Sequence, residues 1–322
     1  MKHKVLCTAP FKRFPKVMDH FHKVFDGEVV EYMVHSQLVE DICAFEGLIP
    51  NARILVDEEV FRNASNLKAI YQPSIGYEHI DLNVAKSKSI LFNGLGLDLT
   101  FKKTLWSTAE HTLSMILALL KSSVISIQDV KTKGAWDNRE YFIRDLRGLE
   151  VGIIGLGNIG LKVAHLCNAF GAKISAYDPY LEEDKFPNYV DKVSLDSIMS
   201  QSDIVTAHVP LNGETQKMID GNAISMMKKQ SYLLNVARGG IVCEASLLKA
   251  LEADYIAGAA LDVLEGESPF GVGDHPLVQF SVDRDNVLIT PHLGGSSYPY
   301  MESIFLHSIN ELKAMLDRYK PQ

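Results

Sequence analysis

Cysteine is scarce: four residues, Cys7, Cys43, Cys167 and Cys243, are spread over 322 positions, and none stand in a Cys-x-x-Cys pair. That spacing gives no reason to expect a zinc cluster, a disulfide framework or any other metal site, and it suits a reducing compartment. Each cysteine reads as a small buried hydrophobe. Long apolar runs are also missing. The best candidate, residues 113–120, is closed off by Glu110-His111 and Lys121, far short of the roughly 20 residues needed to span a bilayer. The apolar stretch 5–9 is too short for a signal h-region and stops at Pro10. No membrane association is expected, and the location expected is cytoplasmic. Basic stretches go no further than Lys102-Lys103 and Lys228-Lys229, and the formal net charge is -8. A nucleic-acid binder needs a positive footprint, so no nucleic-acid partner is expected. Solenoid repeats and low-complexity segments are absent too.

What is present is an ordinary globular composition, 47% hydrophobic and 22% charged, long enough for two domains at roughly 100–200 residues each. The first hundred residues alternate short apolar strands (4–9, 29–34, 68–72, 90–92) with helical patterns (14–25, 57–64). That β-α alternation implies a parallel sheet covered on both faces. A long helical pattern over 104–130 follows, with Leu113, Ile116, Leu117 and Leu120 as its apolar stripe. From Leu149 the alternation restarts. Six strands are expected, at 151–154, 173–177, 203–209, 232–236, 256–262 and 286–290, and a terminal helix over 297–319. The fold class is therefore α/β with two doubly wound domains.

The sharpest local motif is Val151-Gly-Ile-Ile-Gly155-Leu-Gly157-Asn158-Ile159-Gly160, a strand running through Gly-x-Gly-x-x-Gly into a helix. Gly155 permits the tight turn, Gly157 lets backbone approach a pyrophosphate, and Gly160 allows close helix–strand packing. The helix start then offers N–H groups and a positive dipole end to phosphates. A second strand ends at Asp178, eighteen residues beyond Gly160. An acid there accepts from the adenosine ribose hydroxyls and repels a 2′-phosphate. No Arg or Lys follows it directly, so NAD is expected rather than NADP.

Three charged residues stand just after later strands: Arg238, Glu267 and His292. Doubly wound sheets bind ligands beyond the carboxyl ends of their strands, so the three are placed to converge. Reduction of a 2-keto acid needs a hydride at C2 and a proton on its oxygen. Histidine is the natural proton donor near neutrality. A paired carboxylate fixes its tautomer, and a guanidinium grips the substrate carboxylate.

These motifs, together with His208-Val-Pro210-Leu-Asn-Gly-Glu-Thr215, Asn235-Val-Ala237-Arg238-Gly-Gly, Leu261-Asp262-Val and Thr290-Pro-His292, resemble the D-isomer-specific 2-hydroxyacid dehydrogenases over nearly the whole chain. The resemblance implies a Rossmann NAD-binding domain (101–292) inserted into a discontinuous flavodoxin-like substrate domain (1–100 and 293–322). It implies hydride transfer between nicotinamide and C2 of a small 2-hydroxy or 2-keto acid, with Arg238, Glu267 and His292 catalytic. Gly155, Gly157, Asn158, Ile159, Gly160, Asp178, His208, Pro210, Thr215, Ala237, Asp262 and His292 would contact NAD. Ser74, Ile75 and Gly76 would hold the substrate with Arg238, and the protein would be a homodimer. The acid itself stays open among glyoxylate, hydroxypyruvate, a phosphorylated glycerate and a larger sugar-derived acid. Glu267 argues against the formate-oxidising branch, which has glutamine there. An NAD(H)-responsive binding protein or corepressor of the same fold is the alternative. Two departures stand out. Asn93-Gly-Leu-Gly96 lacks the family's proline and is followed by an insertion over 97–107, expected to shape substrate choice. Cys243-Glu244 replaces the usual acid before a helix, with little consequence expected.

Overall fold

The structure, a computed structural model, describes residues 2–267 and 271–320. In chain order the elements begin with β1 (Lys4–Cys7), α1 (Pro15–Val24), β2 (Asp26–Val29), α2 (His35–Asp41), β3 (Gly47–Ile49), α3 (Glu58–Asn63), β4 (Ala69–Gln72), α4 (Leu82–Ser87) and β5 (Leu91–Gly94). They continue with α5 (Ser107–Leu120), α6 (Ser123–Lys133), β6 (Glu150–Ile154), α7 (Asn158–Ala169), β7 (Lys173–Tyr177), β8 (Val190–Lys192), α8 (Leu195–Gln201), β9 (Ile204–Ala207) and α9 (Gly221–Met226). Last come β10 (Tyr232–Asn235), α10 (Glu244–Glu252), β11 (Gly258–Leu261), α11 (Pro276–Ser281), β12 (Val287–Ile289) and α12 (Tyr298–Arg318). The chain divides into two compact units, Met1–Leu105 with Ser297–Gln322, and Trp106–Ser296.

The discontinuous unit is built on five parallel strands in the order β2-β1-β3-β4-β5, the flavodoxin-like arrangement. Alternate strand residues supply its two cores. Val5, Cys7, Ile49, Ala69 and Tyr71 face one side; Leu6, Leu48 and Ile70 face the other. This period of two is what buries a parallel sheet on both faces. α12 joins the first of these cores through Ile304, Phe305, Ile309, Leu312 and Leu316, at helical spacing. α3 starts where Asp57 accepts hydrogen bonds from the Glu59 and Val60 amides, the N-cap that an acid before an apolar helix implies.

The second unit carries seven parallel strands in the order β12-β11-β10-β9-β6-β7-β8. Counted from β6, this is the Rossmann order with one strand added, and the order reverses between β6 and β9. Val151, Ile153, Ile204 and Leu234 pack on one face; Val205, Ala207, Leu233, Ala259 and Leu261 pack on the other.

Several expectations are corrected. The second strand is 26–29, and residues 31–32 turn instead of extending, with Tyr32 at φ +61. α2, β3, α4 and the edge strand β8 were not foreseen; all are short, so periodicity has little to work on. The long helix is two helices, broken where Ser122 takes φ +47. Cys7 and Cys167 are buried as expected, and burial pushes the Cys167 thiol up to about 12. Cys43 is exposed, against expectation, and Cys243 half-buried. The inserted segment lies on α12: Asp98 pairs with His307 Nε2 at 2.9 Å, and the Phe101 ring stacks on that imidazole at 4.2 Å. Among the described residues no single helix is long and apolar enough to cross a membrane.

Leu312 is fully buried between α12 and the five-stranded sheet. Leu312→Ala should destabilise that unit by about 2–5 kcal/mol, through lost transfer energy and the cavity left behind, read by denaturant unfolding.

Candidate active site

The site grows from the C-terminal edge of the seven-stranded sheet. β6 ends at Ile154, and Gly155 turns the chain with φ +88, a conformation that favours glycine. A Cβ on Gly160 would stand 2.1 Å from the Gly155 carbonyl oxygen, so only glycine lets α7 start this close. At Gly157, by contrast, nothing among the described residues lies within 4 Å of a built Cβ. Open space beside bare backbone at a helix start is a cradle of the kind a pyrophosphate fills. Asn158 and Ile159 open that helix.

Asp178 follows β7 and ties the cradle down. Its Oδ2 accepts from the Leu156 amide at 2.9 Å and its Oδ1 from the Tyr180 amide at 3.0 Å. His208 follows β9, across the point where strand order reverses. The Thr206 hydroxyl meets its Nε2 at 3.0 Å, while Nδ1 is sealed from solvent with no partner among the described residues. Burial drives this imidazole down to about 3, so it stays neutral. An orphaned polar atom beside the glycine turn, whose Cβ would meet the His208 carbonyl oxygen at 2.9 Å, fits a site made to receive a polar ligand. Thr215 Oγ1 donates to the Pro210 carbonyl at 2.6 Å and closes the following turn.

β10 delivers Arg238. Buried Asn235 accepts from the Ala237 amide at 3.1 Å and donates from Nδ2 to the Arg238 carbonyl at 2.8 Å, shaping the turn. Arg238 Nη1 donates to the Ala237 carbonyl at 2.7 Å. A Cβ on Gly239 would lie 2.1 Å from the Leu264 carbonyl carbon. The turn after β10 therefore rests on the backbone that leads to Glu267. Glu244 braces that backbone from α10, accepting from the Glu265 amide at 2.8 Å, with His275 Nε2 on its other oxygen at 2.9 Å. Glu244, in the departure at Cys243-Glu244, thus supports the loop that leads to Glu267.

Glu267 and His292 are brought together. His292 Nδ1 donates to Glu267 Oε1 at 2.5 Å. An ionised carboxylate only accepts, which puts the proton on Nδ1 and leaves Nε2 as the ring's other nitrogen. His292 sits at φ +57, a left-handed backbone that side chains usually avoid. Asp262, 1% exposed, holds it there. Its carbonyl accepts from the His292 amide at 2.9 Å. Its carboxylate accepts from the Leu293 amide at 2.7 Å, the Gly294 amide at 2.8 Å and the Thr290 hydroxyl at 2.6 Å, with His111 Nε2 at 3.2 Å. Burial raises this carboxyl, but the hydrogen bonds outweigh it and the net direction is down. Asp262, expected among the NAD contacts, thus has its carboxylate engaged with the histidine loop. Sequence reasoning overlooked His111 and Thr290 as parts of this network. His111 stood at the rim of an apolar run, where nothing marks a buried partner 151 positions away.

Ser74, Ile75 and Gly76 belong to the other unit, after β4. Buried Gln72 donates from Nε2 to Ser74 Oγ at 2.6 Å, and Ser74 Oγ donates to the Gly76 carbonyl at 2.9 Å. This loop is held in shape from within.

A Rossmann sheet with an open glycine cradle at its switch point, and a histidine–carboxylate pair on the same edge, defines a dinucleotide-binding protein. Residues 113–294 match the family described as D-isomer specific 2-hydroxyacid dehydrogenase, NAD binding domain. The D-3-phosphoglycerate dehydrogenase of Archaeoglobus fulgidus is 34% identical over 296 residues, covering 91% of this chain and 54% of that protein. The glyoxylate reductase of Thermofilum pendens is 38% identical over 249 residues, 75% of this chain and 70% of that one. A crystal structure of D-lactate dehydrogenase from Aquifex aeolicus, complexed with NAD and lactic acid, superposes with a TM-score of 0.85 at 28% identity, over 98% of this chain and 95% of that chain. The chain spans about half the length of the phosphoglycerate dehydrogenases it matches. The chain belongs to the D-isomer specific 2-hydroxyacid dehydrogenases, and its seven-stranded unit is the NAD-binding domain of that family.

His208 yields a pH prediction. In the unfolded chain its imidazole titrates near the usual value of about 6.5, and in the folded chain at about 3. Between these values the unfolded state binds the extra proton, so stability is full above the higher value and falls as pH drops toward the lower. His208→Asn, which does not charge, should show a shallower loss of thermal stability across that window than the parent.

Proposed function

We propose that this protein transfers a hydride between NAD and C2 of a small 2-hydroxy or 2-keto acid, with His292 as proton donor and acceptor. The observation that carries the reading is the 2.5 Å pair between His292 Nδ1 and Glu267 on the edge of the NAD-binding sheet. NAD, when bound, supplies or accepts the hydride. In the reducing direction protonated His292 gives the proton on Nε2 to the carbonyl oxygen, and Glu267 stabilises the imidazolium while holding the ring by Nδ1. In the oxidising direction the neutral ring takes the hydroxyl proton. Arg238 binds the substrate carboxylate and polarises the C2 oxygen through its planar donors. The Ser74–Gly76 backbone is assigned to the same carboxylate on the resemblance to the family. The names of the relatives, which include phosphoglycerate, glyoxylate and lactate enzymes, support a small 2-oxygenated acid and leave its side chain to experiment. The reading includes a homodimer working in the cytoplasm.

The direct test is NADH oxidation across a panel of 2-keto acids, with NADPH in parallel. Turnover of one acid with NADH establishes the reaction. Tight NADH binding without turnover of any acid would favour an NAD(H)-responsive binding protein. His292→Asn keeps a residue that tolerates the left-handed backbone and removes the acid. It should lower kcat by about 10²–10⁴-fold with NADH affinity little changed; turnover close to that of the parent would overturn the role of His292. Asp178→Asn keeps an oxygen for the Leu156 amide and removes the charge. It should reduce the preference for NADH over NADPH by about tenfold, roughly 1.4 kcal/mol, read as the ratio of the two kcat/KM values.

A further inference from the structure

One lysine of the NAD-binding unit is out of place by ordinary rules. Lys162 is only 8% exposed, although lysine is among the residues least often buried. It lies in the second turn of α7, two positions past Gly160. A cation there adds to the positive end of the helix. Burial accordingly lowers its pKa from the usual lysine value.

Its contacts are specific. Helical side chains lean toward the N-terminus, and Lys162 Nζ reaches back one turn to donate to Asn158 Oδ1 at 3.1 Å. The Trp106 ring covers the ammonium, with its centroid 5.4 Å from Nζ, and stands edge-on to His165 at 6.0 Å. Trp106 is the last aromatic of the inserted segment, so part of that segment serves the NAD-binding unit. The Lys162 bond fixes the Asn158 amide: its oxygen faces the ammonium, and its donor end Nδ2 is opposed. Asn158 is the first residue of the helix behind the open Gly157 cradle.

We propose that Lys162 is a positioning residue for the dinucleotide pyrophosphate, orienting the Asn158 amide as a donor at the helix start and placing a tryptophan-capped positive charge one turn behind it. The inference rests on the reading that the Gly155–Gly160 turn takes the NAD pyrophosphate. Neutralising the charge therefore weakens ligands that carry the pyrophosphate and spares those that do not.

The test measures dissociation constants by fluorescence and competition on the full chain, for NADH, ADP-ribose and adenosine. Parent protein that binds neither NADH nor ADP-ribose would defeat the cofactor reading itself, before Lys162 is in question. With that binding in hand, Lys162→Met should raise the constants for NADH and ADP-ribose about tenfold and leave adenosine unchanged. Lys162→Arg should restore most of the affinity. Unchanged NADH affinity in Lys162→Met would overturn the proposal. So would equal weakening of adenosine, which marks a packing role alone. Should Lys162→Met fail to fold, Asn158→Ala decides: selective loss of ADP-ribose supports the proposal, and no loss overturns it. Where both fold, Lys162→Met on the Asn158→Ala background should add little, since the two act as one unit.

Discussion

The buried carboxylate of Asp262 is the constraint on which the His292 edge of the seven-stranded sheet depends. Removing a carboxylate from water costs several kcal/mol unless its oxygens find donors. Here they are met by two consecutive backbone amides, a hydroxyl and an imidazole. Those donors come from the loop after β12 and from α5, so satisfying one charge also fixes the path of the chain through His292. Ser107 adds to the same arrangement by donating to the Gly294 carbonyl at 2.7 Å. The placement of His292 is thus set by an electrostatic requirement several bonds away from it.

The remaining loops of the edge are not independent of one another. The turn bearing Arg238 is shaped by Asn235 and lies directly on the backbone at Leu264 and Glu265. That backbone is held by Glu244, which His275 pairs. Guanidinium and carboxylate are therefore carried on surfaces that touch at main-chain distance, while the carboxylate and the imidazole share a hydrogen bond. Rigid strand ends supply the coarse positions, and glycine at 239 permits the close approach.

Much of this was legible in the residues. The Gly155–Gly160 motif with Asp178 is local, and its spacing carries the strand, turn and helix together. Strands with continuous apolar runs, such as 151–154 and 232–235, declare themselves by pattern alone. The order of Arg238, Glu267 and His292 after successive strands placed all three on one edge. What escaped was non-local or too short. β3 and β8 have three residues each, below the length at which periodicity means anything. The break at Ser122 leaves the apolar stripe intact across it. His111, Thr290, Glu244 and His275 act through partners far away in sequence, and single residues of these types carry no mark of burial. Lys162 reads as one more solvated lysine until its surroundings are seen.

His292 occupies a left-handed backbone, at φ +57, where a side chain is held at a cost of about 1–2 kcal/mol. Glycine would sit there without strain. The position proposed to carry the proton is therefore one where folding favours a different residue. Selection for stability alone would tend to replace the imidazole, leaving a sturdier fold with an intact nucleotide cradle. Descendants of this scaffold that keep the cradle and lose the imidazole lie, energetically, downhill from it.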